Sequence, residues 1–173
     1  MKRFFIFAAV ILGIIVVDQV TKDYLIYLIT GGVPAFADAF ELVPVSYLMA
    51  HVTDFFNVLF TWNPGASFSI LRGVGEYAPM FIIVSTGAIV GFLIYYAIRC
   101  ACRFEQWPVV LIIGGALGNL IDRVRFGAVI DFLDFHIGGI HWPAFNVADT
   151  FIVMGVALYM INWIVHRRRC GVK

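Results

Sequence analysis

The segment Gly114–Arg123, with the sequence GGALGNLIDR, ends a long apolar run that begins near Trp107 and carries polar side chains in its last turns. On a helix, residues three and four positions apart share a face, so Asn119, Asp122 and Arg123 are expected to point the same way. The glycines before them allow another helix backbone to approach closely. Because a charged face at the end of an apolar helix is costly without partners, other parts of the chain must supply them.

The composition of the chain is that of an integral membrane protein. Of its 173 residues, 62% are hydrophobic and 13% are charged, whereas a soluble domain is about half apolar and about one quarter charged. The formal net charge of +1 argues against a nucleic-acid partner. The cysteines are odd in number and are not spaced as C-x-x-C, so the sequence indicates neither a disulfide framework nor a metal site.

Four apolar segments predict transmembrane helices, and therefore an all-α membrane protein whose residues 1–173 form a single integral membrane domain. The first segment, about residues 4–29, has the basic start of a secretory signal peptide. We expect it to be retained, because apolar sequence resumes after DQVTKD and the whole segment is long enough to cross a bilayer. The other predicted spans cover about residues 80–98, 108–124 and 147–165.

Two connecting segments are predicted to lie outside the membrane. The first, about residues 34–76, is expected to form a small element with some β structure, because Phe55–Asn63 is rich in β-forming residues and the turn sequence Asn63-Pro64-Gly65 follows it. Its aromatic residues suit a membrane interface. The second, about residues 125–145, contains several glycines, aspartates and histidines and is expected to be a loop.

Basic residues near the ends of the predicted spans indicate their orientation. Lys2, Arg3, Arg99, Arg103 and Arg167–Arg169 form one set, and an even number of spans places all of them on the same side of the membrane. That side is cytoplasmic, because short cytoplasmic segments are enriched in Lys and Arg. Both termini are therefore expected in the cytoplasm, and both connecting segments on the outer side.

With this orientation, polar residues from three spans and both outer segments lie near the outer membrane surface. They are Asp18, Lys22, Asn63, Asn119, Asp122, Arg123, Asp131, Asn146 and Asp149. Charged side chains within or beside lipid are retained with partners, so these residues are expected to converge.

Residues of the first and third spans also have purely structural explanations. Asp18 and Lys22 are four positions apart and can form an ion pair within one helix. Asp122 and Arg123 can form a structural pair at a helix end. Both explanations stay open at the level of sequence.

Three candidate residues later in the chain also have purely structural explanations. Asn146 and Asp149 fit a helix N-cap and an acidic residue that faces the helix dipole. Asp131 can be a loop residue in water, as Asp134 is expected to be. A functional site is favoured because three separate spans bring acids or amides to one surface.

Two carboxylates that share a proton can activate water without a nucleophilic serine. The ionised carboxylate takes a proton from water, and the protonated one polarises the carbonyl group that the water attacks. The chain has neither a G-x-S-x-G elbow nor an H-E-x-x-H motif. The alternatives are a small proton-coupled membrane transporter and a structural subunit. A transporter would more often have internal repeats and acids near the membrane midplane.

Five motifs follow one another along the chain, and together they are specific: DQVTK (Asp18–Lys22), NPGASF (Asn63–Phe68), GGALGNLIDR (Gly114–Arg123), VIDF (Val129–Phe132) and FNVAD (Phe145–Asp149). In these motifs the chain resembles the signal peptidase II family, the lipoprotein signal peptidases, over nearly its full length.

The resemblance implies a four-helix aspartic endopeptidase of the bacterial inner membrane, with its active site facing the periplasm. Its substrate would be a prolipoprotein that carries diacylglycerol on its lipobox cysteine and is cut just before that cysteine, without a cofactor. A monomer among membrane lipids is expected, because four helices can close around one site. By motif position, the catalytic aspartates fall on Asp131 and Asp149. Supporting or substrate-binding positions fall on Asp18, Lys22, Asn63, Asn119, Asp122, Arg123 and Asn146.

Overall fold

The computed structural model describes residues 2–31, 46–65, 78–99 and 104–166. These residues form four helices: α1 (Lys2–Ile29), α2 (Ala78–Arg99), α3 (Gln106–Phe126) and α4 (Val147–His166). They also form the strands β1 (Ser46–Thr53), β2 (Phe56–Asn63), β3 (Val129–Ile137) and β4 (Ile140–His141). Helices thus occupy the four predicted apolar segments. Several residues named above lie outside the described residues: Arg103, Arg167–Arg169 and the last three residues of the NPGASF motif (66–68).

Three of the described helices are long and apolar enough to cross a membrane: Lys2–Ile29, Met80–Arg99 and Val147–Val165. Helix α3 is not among them, because its C-terminal half carries the polar and charged residues of the GGALGNLIDR segment. The chain is therefore a helical membrane protein, and the count of four spans stays a prediction.

Helix α3 lies at the centre of the bundle, where it packs against α1, α2 and α4. The glycines of its motif explain how closely the helices approach. A Cβ atom on Gly118 would lie 2.8 Å from Asp18 Oδ2, and one on Gly115 would meet the backbone oxygen of Ala148. The chain leaves α3 at Gly127, whose φ of +77° favours glycine and whose N–H donates to the oxygen of Arg123 at 3.0 Å.

The strands form one antiparallel sheet in the order β1-β2-β3-β4. The stretch expected to be β-forming is β2, and it pairs with β3 from Asn63 opposite Val129 to Phe56 opposite Phe135. The sheet packs against the adjoining ends of α1 and α3. The buried side chains of this core are Leu25, Ile26, Phe60, Trp62, Phe126, Ala128, Ile130 and Phe132.

The prediction of a loop over residues 125–145 is wrong for most of that segment. β3 and β4 occupy its centre and are joined by Gly138 and Gly139, which have φ values of +58° and +83°. Apolar side chains at the start of β3 are buried in the core beneath the sheet, and its backbone completes the hydrogen bonds of β2.

Asp134 is buried, contrary to the expectation that it lies in water. Its side chain is 3% exposed, accepts a hydrogen bond from Asn57 Nδ2 at 2.8 Å and lies 2.8 Å from Nδ1 of His141. Burial raises the pKa of Asp134, but these contacts outweigh burial and hold the pKa below its usual value. Asp134 therefore ties β3 to both neighbouring strands.

Candidate active site

Lys22 is the centre of an ion cluster between α1 and α3. Its Nζ atom lies 2.8 Å from Asp18 Oδ2 and 2.7 Å from Asp122 Oδ2, and none of the three side chains is exposed. Nζ also donates to Asn119 Oδ1 at 3.3 Å. Burying charge in this way is favourable only when each group is fully paired. The pair within α1 that the sequence suggested therefore exists, but Lys22 also joins two helices.

The two carboxylates of this cluster hold the backbone beside both predicted catalytic aspartates. Asp18 Oδ1 accepts the backbone N–H of Ala148, the residue before Asp149, at 2.9 Å. Asp122 Oδ2 accepts the backbone N–H of the residue before Asp131 at 3.2 Å. The buried cation Lys22 therefore anchors the start of α4 through Asp18 and the start of β3 through Asp122.

Two asparagines link the predicted catalytic aspartates to each other. Asn146 Nδ2 donates to Asp131 Oδ1 at 2.7 Å and to Asn119 Oδ1 at 3.1 Å. Asn119 Nδ2 in turn donates to Asp149 Oδ1 at 2.7 Å. The carboxylates, far apart in sequence, thus belong to one chain of hydrogen bonds.

Asn146 also caps α4, which is the structural explanation that its sequence position suggested. Its Oδ1 accepts the backbone N–H of Asp149 at 2.8 Å, and its own N–H lies 3.4 Å from Asp149 Oδ2. This reciprocal pair is a capping box, and the helix dipole favours a negative charge on Asp149. Capping and participation in the cluster coexist, because the cap uses the oxygen of Asn146 and the link to Asp131 uses its nitrogen.

Asp131 lies in a protected environment at the start of β3. Its side chain is 2% exposed, and Asn63 Nδ2 donates to its Oδ2 at 2.8 Å. Burial raises the pKa of Asp131 to about 7, and the nearby charge of Asp149 adds to the rise, while hydrogen bonds from Asn63 and Asn146 oppose it. Asp131 can therefore hold a proton near neutral pH.

Arg123 borders the cluster on α3. Its Nη1 donates to the backbone oxygen of Asn119 at 3.3 Å. Its guanidinium interacts electrostatically with Asp149, Asp122 and Asp131. Nε is buried and has no hydrogen-bond partner within the described ranges, so Arg123 has donor capacity close to the acids.

All of the predicted site residues meet in this one connected cluster, and their chemical roles stay predictions. Gln19, the second residue of the DQVTK motif, also belongs to it, although it was not among the predicted site residues. It lies between Asp18 and Lys22 on α1, and that position was the available sequence signal. In the part of the chain that the structure describes, no group of three or more His, Cys, Asp or Glu residues is arranged to hold a metal ion.

Comparison with known proteins places these features in a family. A profile of the family described as Signal peptidase (SPase) II matches residues 10–165. A lipoprotein signal peptidase of Geobacter sulfurreducens is 40% identical over 165 residues, which cover 95% of this chain and 94% of the relative. One from Syntrophus aciditrophicus is 38% identical over 152 residues, which cover 83% and 94%.

A solved structure described as a bacterial membrane enzyme superposes with a TM-score of 0.70 at 30% identity, covering 96% of this chain and 92% of the other. The profile match includes the ion cluster, both asparagines and both predicted catalytic aspartates. The chain belongs to the signal peptidase II family of aspartic peptidases, the lipoprotein signal peptidases.

Proposed function

We propose that this peptidase removes the signal peptide from prolipoproteins whose lipobox cysteine carries diacylglycerol, cutting just before that cysteine. The observation that carries the proposal is the hydrogen-bonded connection of Asp131 to Asp149 through Asn146 and Asn119. It supplies two acids in unlike environments, which general acid/base chemistry requires. The relatives are peptidases, so a proton-coupled transporter is not favoured.

The site suits a substrate that stays in the membrane. Each lipid methylene group contributes about 0.8 kcal/mol to membrane attachment, so a diacylated protein must be cut where it lies. Asp131 lies at the start of β3, just after α3, and Asp149 lies in the first turn of α4. Both are at one end of the apolar helices. We place this end at the periplasmic surface of the inner membrane, with four spans and both termini in the cytoplasm, since the basic residues favour that orientation.

The environments of the two aspartates suggest their roles. Asp131 is the acid, because burial raises its pKa to about 7, and in its protonated form it donates to the oxygen of the scissile carbonyl. Asp149, at the N-terminus of α4, is the base that takes a proton from water, whose oxygen attacks the carbonyl carbon.

Collapse of the tetrahedral intermediate breaks the bond to nitrogen. The proton that Asp149 took from water goes to the leaving amine, and the proton that Asp131 lent to the oxygen returns to Asp131. The dyad therefore ends each cycle in its starting protonation state, and one water is consumed. Asn63 and Asn146 hold the carboxyl of Asp131 in place, and Arg123 is positioned to orient polar parts of the substrate.

A cleavage assay with matched substrates tests this function. The purified protein in detergent is given a synthetic prolipopeptide with diacylglycerol on its cysteine, and the same peptide without the lipid. Mass spectrometry should find a product that begins with the lipidated cysteine, and much slower cleavage of the unlipidated peptide. Equal cleavage of both peptides, cleavage at another bond, or no cleavage would contradict the proposal.

A further inference from the structure

Gln19 is a polar residue of the DQVTK motif that contacts the ion cluster and was not among the predicted site residues. We propose that Gln19, oriented by Arg125, is a positioning residue that holds Asp122 and, through it, the catalytic Asp131. This inference rests on the proposed function, since it takes Asp131 as a catalytic acid.

The amide nitrogen of Gln19 connects α1 to α3. Nε2 donates to Asp122 Oδ1 at 2.7 Å. It also lies 3.3 Å from Asp18 Oδ2 and 3.3 Å from the backbone oxygen of Gly118. The short contact is the one to Asp122, whose other oxygen is the partner of Lys22. Gln19 therefore satisfies the side of the Asp122 carboxylate that Lys22 does not reach.

Arg125 determines which way the Gln19 amide faces. Nη1 of Arg125 donates to Gln19 Oε1 at 2.9 Å, and Nη2 lies 3.0 Å from Asp23 Oδ1. The guanidinium carbon lies 4.5 Å from the ring centre of Phe126. Because a guanidinium can only donate hydrogen bonds, it requires the amide oxygen of Gln19 on its side. The amide nitrogen must then face Asp122.

The path from Asp122 to the reacting groups is short. Its Oδ2 accepts the N–H of Ile130, whose own carbonyl accepts Asn146 Nδ2 at 3.1 Å. Ile130 directly precedes Asp131. If Asp122 rotates after losing Gln19, both Asp131 and its partner Asn146 lose an anchor. Displacing a catalytic group by about 1 Å can cost about 100-fold in rate.

Gln19→Leu tests the proposal, because leucine keeps the approximate shape of the side chain and removes its donor and acceptor. The matched control is Val20→Ala, a neighbouring α1 residue that is 61% exposed. We expect Gln19→Leu to lower kcat for the lipidated peptide about 10- to 100-fold with KM changed less than about twofold, and Val20→Ala to change neither. An unchanged kcat, or a change confined to KM, would overturn the proposal.

Hydrogen exchange at the amide of Ile130 gives a readout independent of catalysis. Gln19→Leu should speed exchange of the peptide containing Ile130 at a temperature where the variant is still folded. Lowered kcat with unchanged exchange there would contradict a positioning role. Asp131→Asn is assayed in parallel: if it still cleaves, the proposed catalytic role of Asp131 fails, while the exchange data still decide whether Gln19 anchors Ile130.

Arg125→Gln provides a second variant with less risk of misfolding, because the Arg125 side chain is 31% exposed. It should lower kcat in the same direction by a smaller factor. The double variant with Gln19→Leu should be no slower than Gln19→Leu alone, because Arg125 acts through Gln19. Independent, multiplying losses in the double variant would show that Arg125 does not act through Gln19 and would overturn that part of the proposal.

Discussion

Asn146 and Asp131 are joined by a 2.7 Å hydrogen bond in which the residue that caps α4 donates its side-chain amide to a carboxylate of β3. The cap and the proposed active site are therefore the same structure. A capping residue at this position fixes where α4 begins and also orients an acid that comes from another element.

Asn146→Ser should separate capping from catalysis. Serine is a good N-cap residue, but it cannot supply the amide that donates to Asp131 and Asn119. We expect nearly unchanged thermal stability in detergent and a loss of at least about 100-fold in kcat, following the cost of misplacing a reacting group. Melting curves and the cleavage assay measure the two effects.

Asn146→Ala is the matched comparison, because alanine removes the cap as well. It should lose activity like the serine variant and should also lose about 1 kcal/mol of stability. Serine and alanine variants that are both fully active would contradict the role assigned to the amide.

The pH dependence of cleavage should reflect Asp131. The proposed mechanism needs this residue protonated, and its pKa lies at about 7. We therefore expect kcat/KM to fall as the pH rises through about 7. From pH 6 to 9, roughly one unit below this pKa to two units above it, the protonated fraction of the carboxyl falls steeply. A kcat/KM that stays constant or increases over this range would contradict Asp131 as the acid.

The same pKa shift predicts a dependence of stability on pH. The folded protein binds the Asp131 proton more tightly than the unfolded chain, whose carboxyl has its usual pKa of 3.8. The corresponding stabilisation is complete below pH 3.8 and is lost as the pH rises to about 7. Asp131→Asn has no such titration. The melting temperature of Asp131→Asn relative to the parent protein should therefore increase over this window, and a constant difference would contradict the shift.

Lys22→Met should destabilise the protein strongly. It would leave Asp18 and Asp122 buried without their cation, and breaking a buried ion pair in this way costs about 3–5 kcal/mol. The triple variant that adds Asp18→Asn and Asp122→Asn should regain part of that stability, because no unpaired charge remains. Denaturation in detergent measures both. Equal stability of the single variant and the parent would contradict the cluster.

Gly115→Ala tests the close packing of α3 against α4. A Cβ atom there would meet the backbone oxygen of Ala148, which cannot move without displacing the start of α4. We expect a loss of about 1–3 kcal/mol, the usual cost of overpacking. Gly91→Ala on α2 is the control, because a Cβ atom there meets nothing within 4 Å. Similar melting temperatures for the two variants would contradict the packing.

The helices and the identity of the site residues could be predicted because both are visible in short stretches of the sequence. The helices are long apolar runs, and Asp18, Lys22, Asn119, Asp122 and Asp149 are polar residues at their ends. The contacts that join these residues across different helices could not be predicted. Lys22 bridges α1 and α3 only because Gly118 lets Asp18 approach within contact of α3, and such registers depend on packing between distant segments.

The sheet was less predictable than the helices. β3 contains Asp131 and Asp134 in a short apolar run, which resembles a loop as much as a strand. It becomes a strand because β2, more than sixty residues earlier, offers a backbone edge and an Asn57 side chain that satisfies Asp134. The burial of Asp134 follows from that distant partner, and nothing within the segment itself predicts it.

The most direct test of the proposed dyad is cleavage of the lipidated prolipopeptide by Asp131→Asn and Asp149→Asn, with Asp134→Asn as the control from the same strand. All three variants should be folded, with melting temperatures measured in the same detergent. We predict that the first two lose cleavage while the third keeps most of it. Retained turnover by either Asp131→Asn or Asp149→Asn would contradict the assignment.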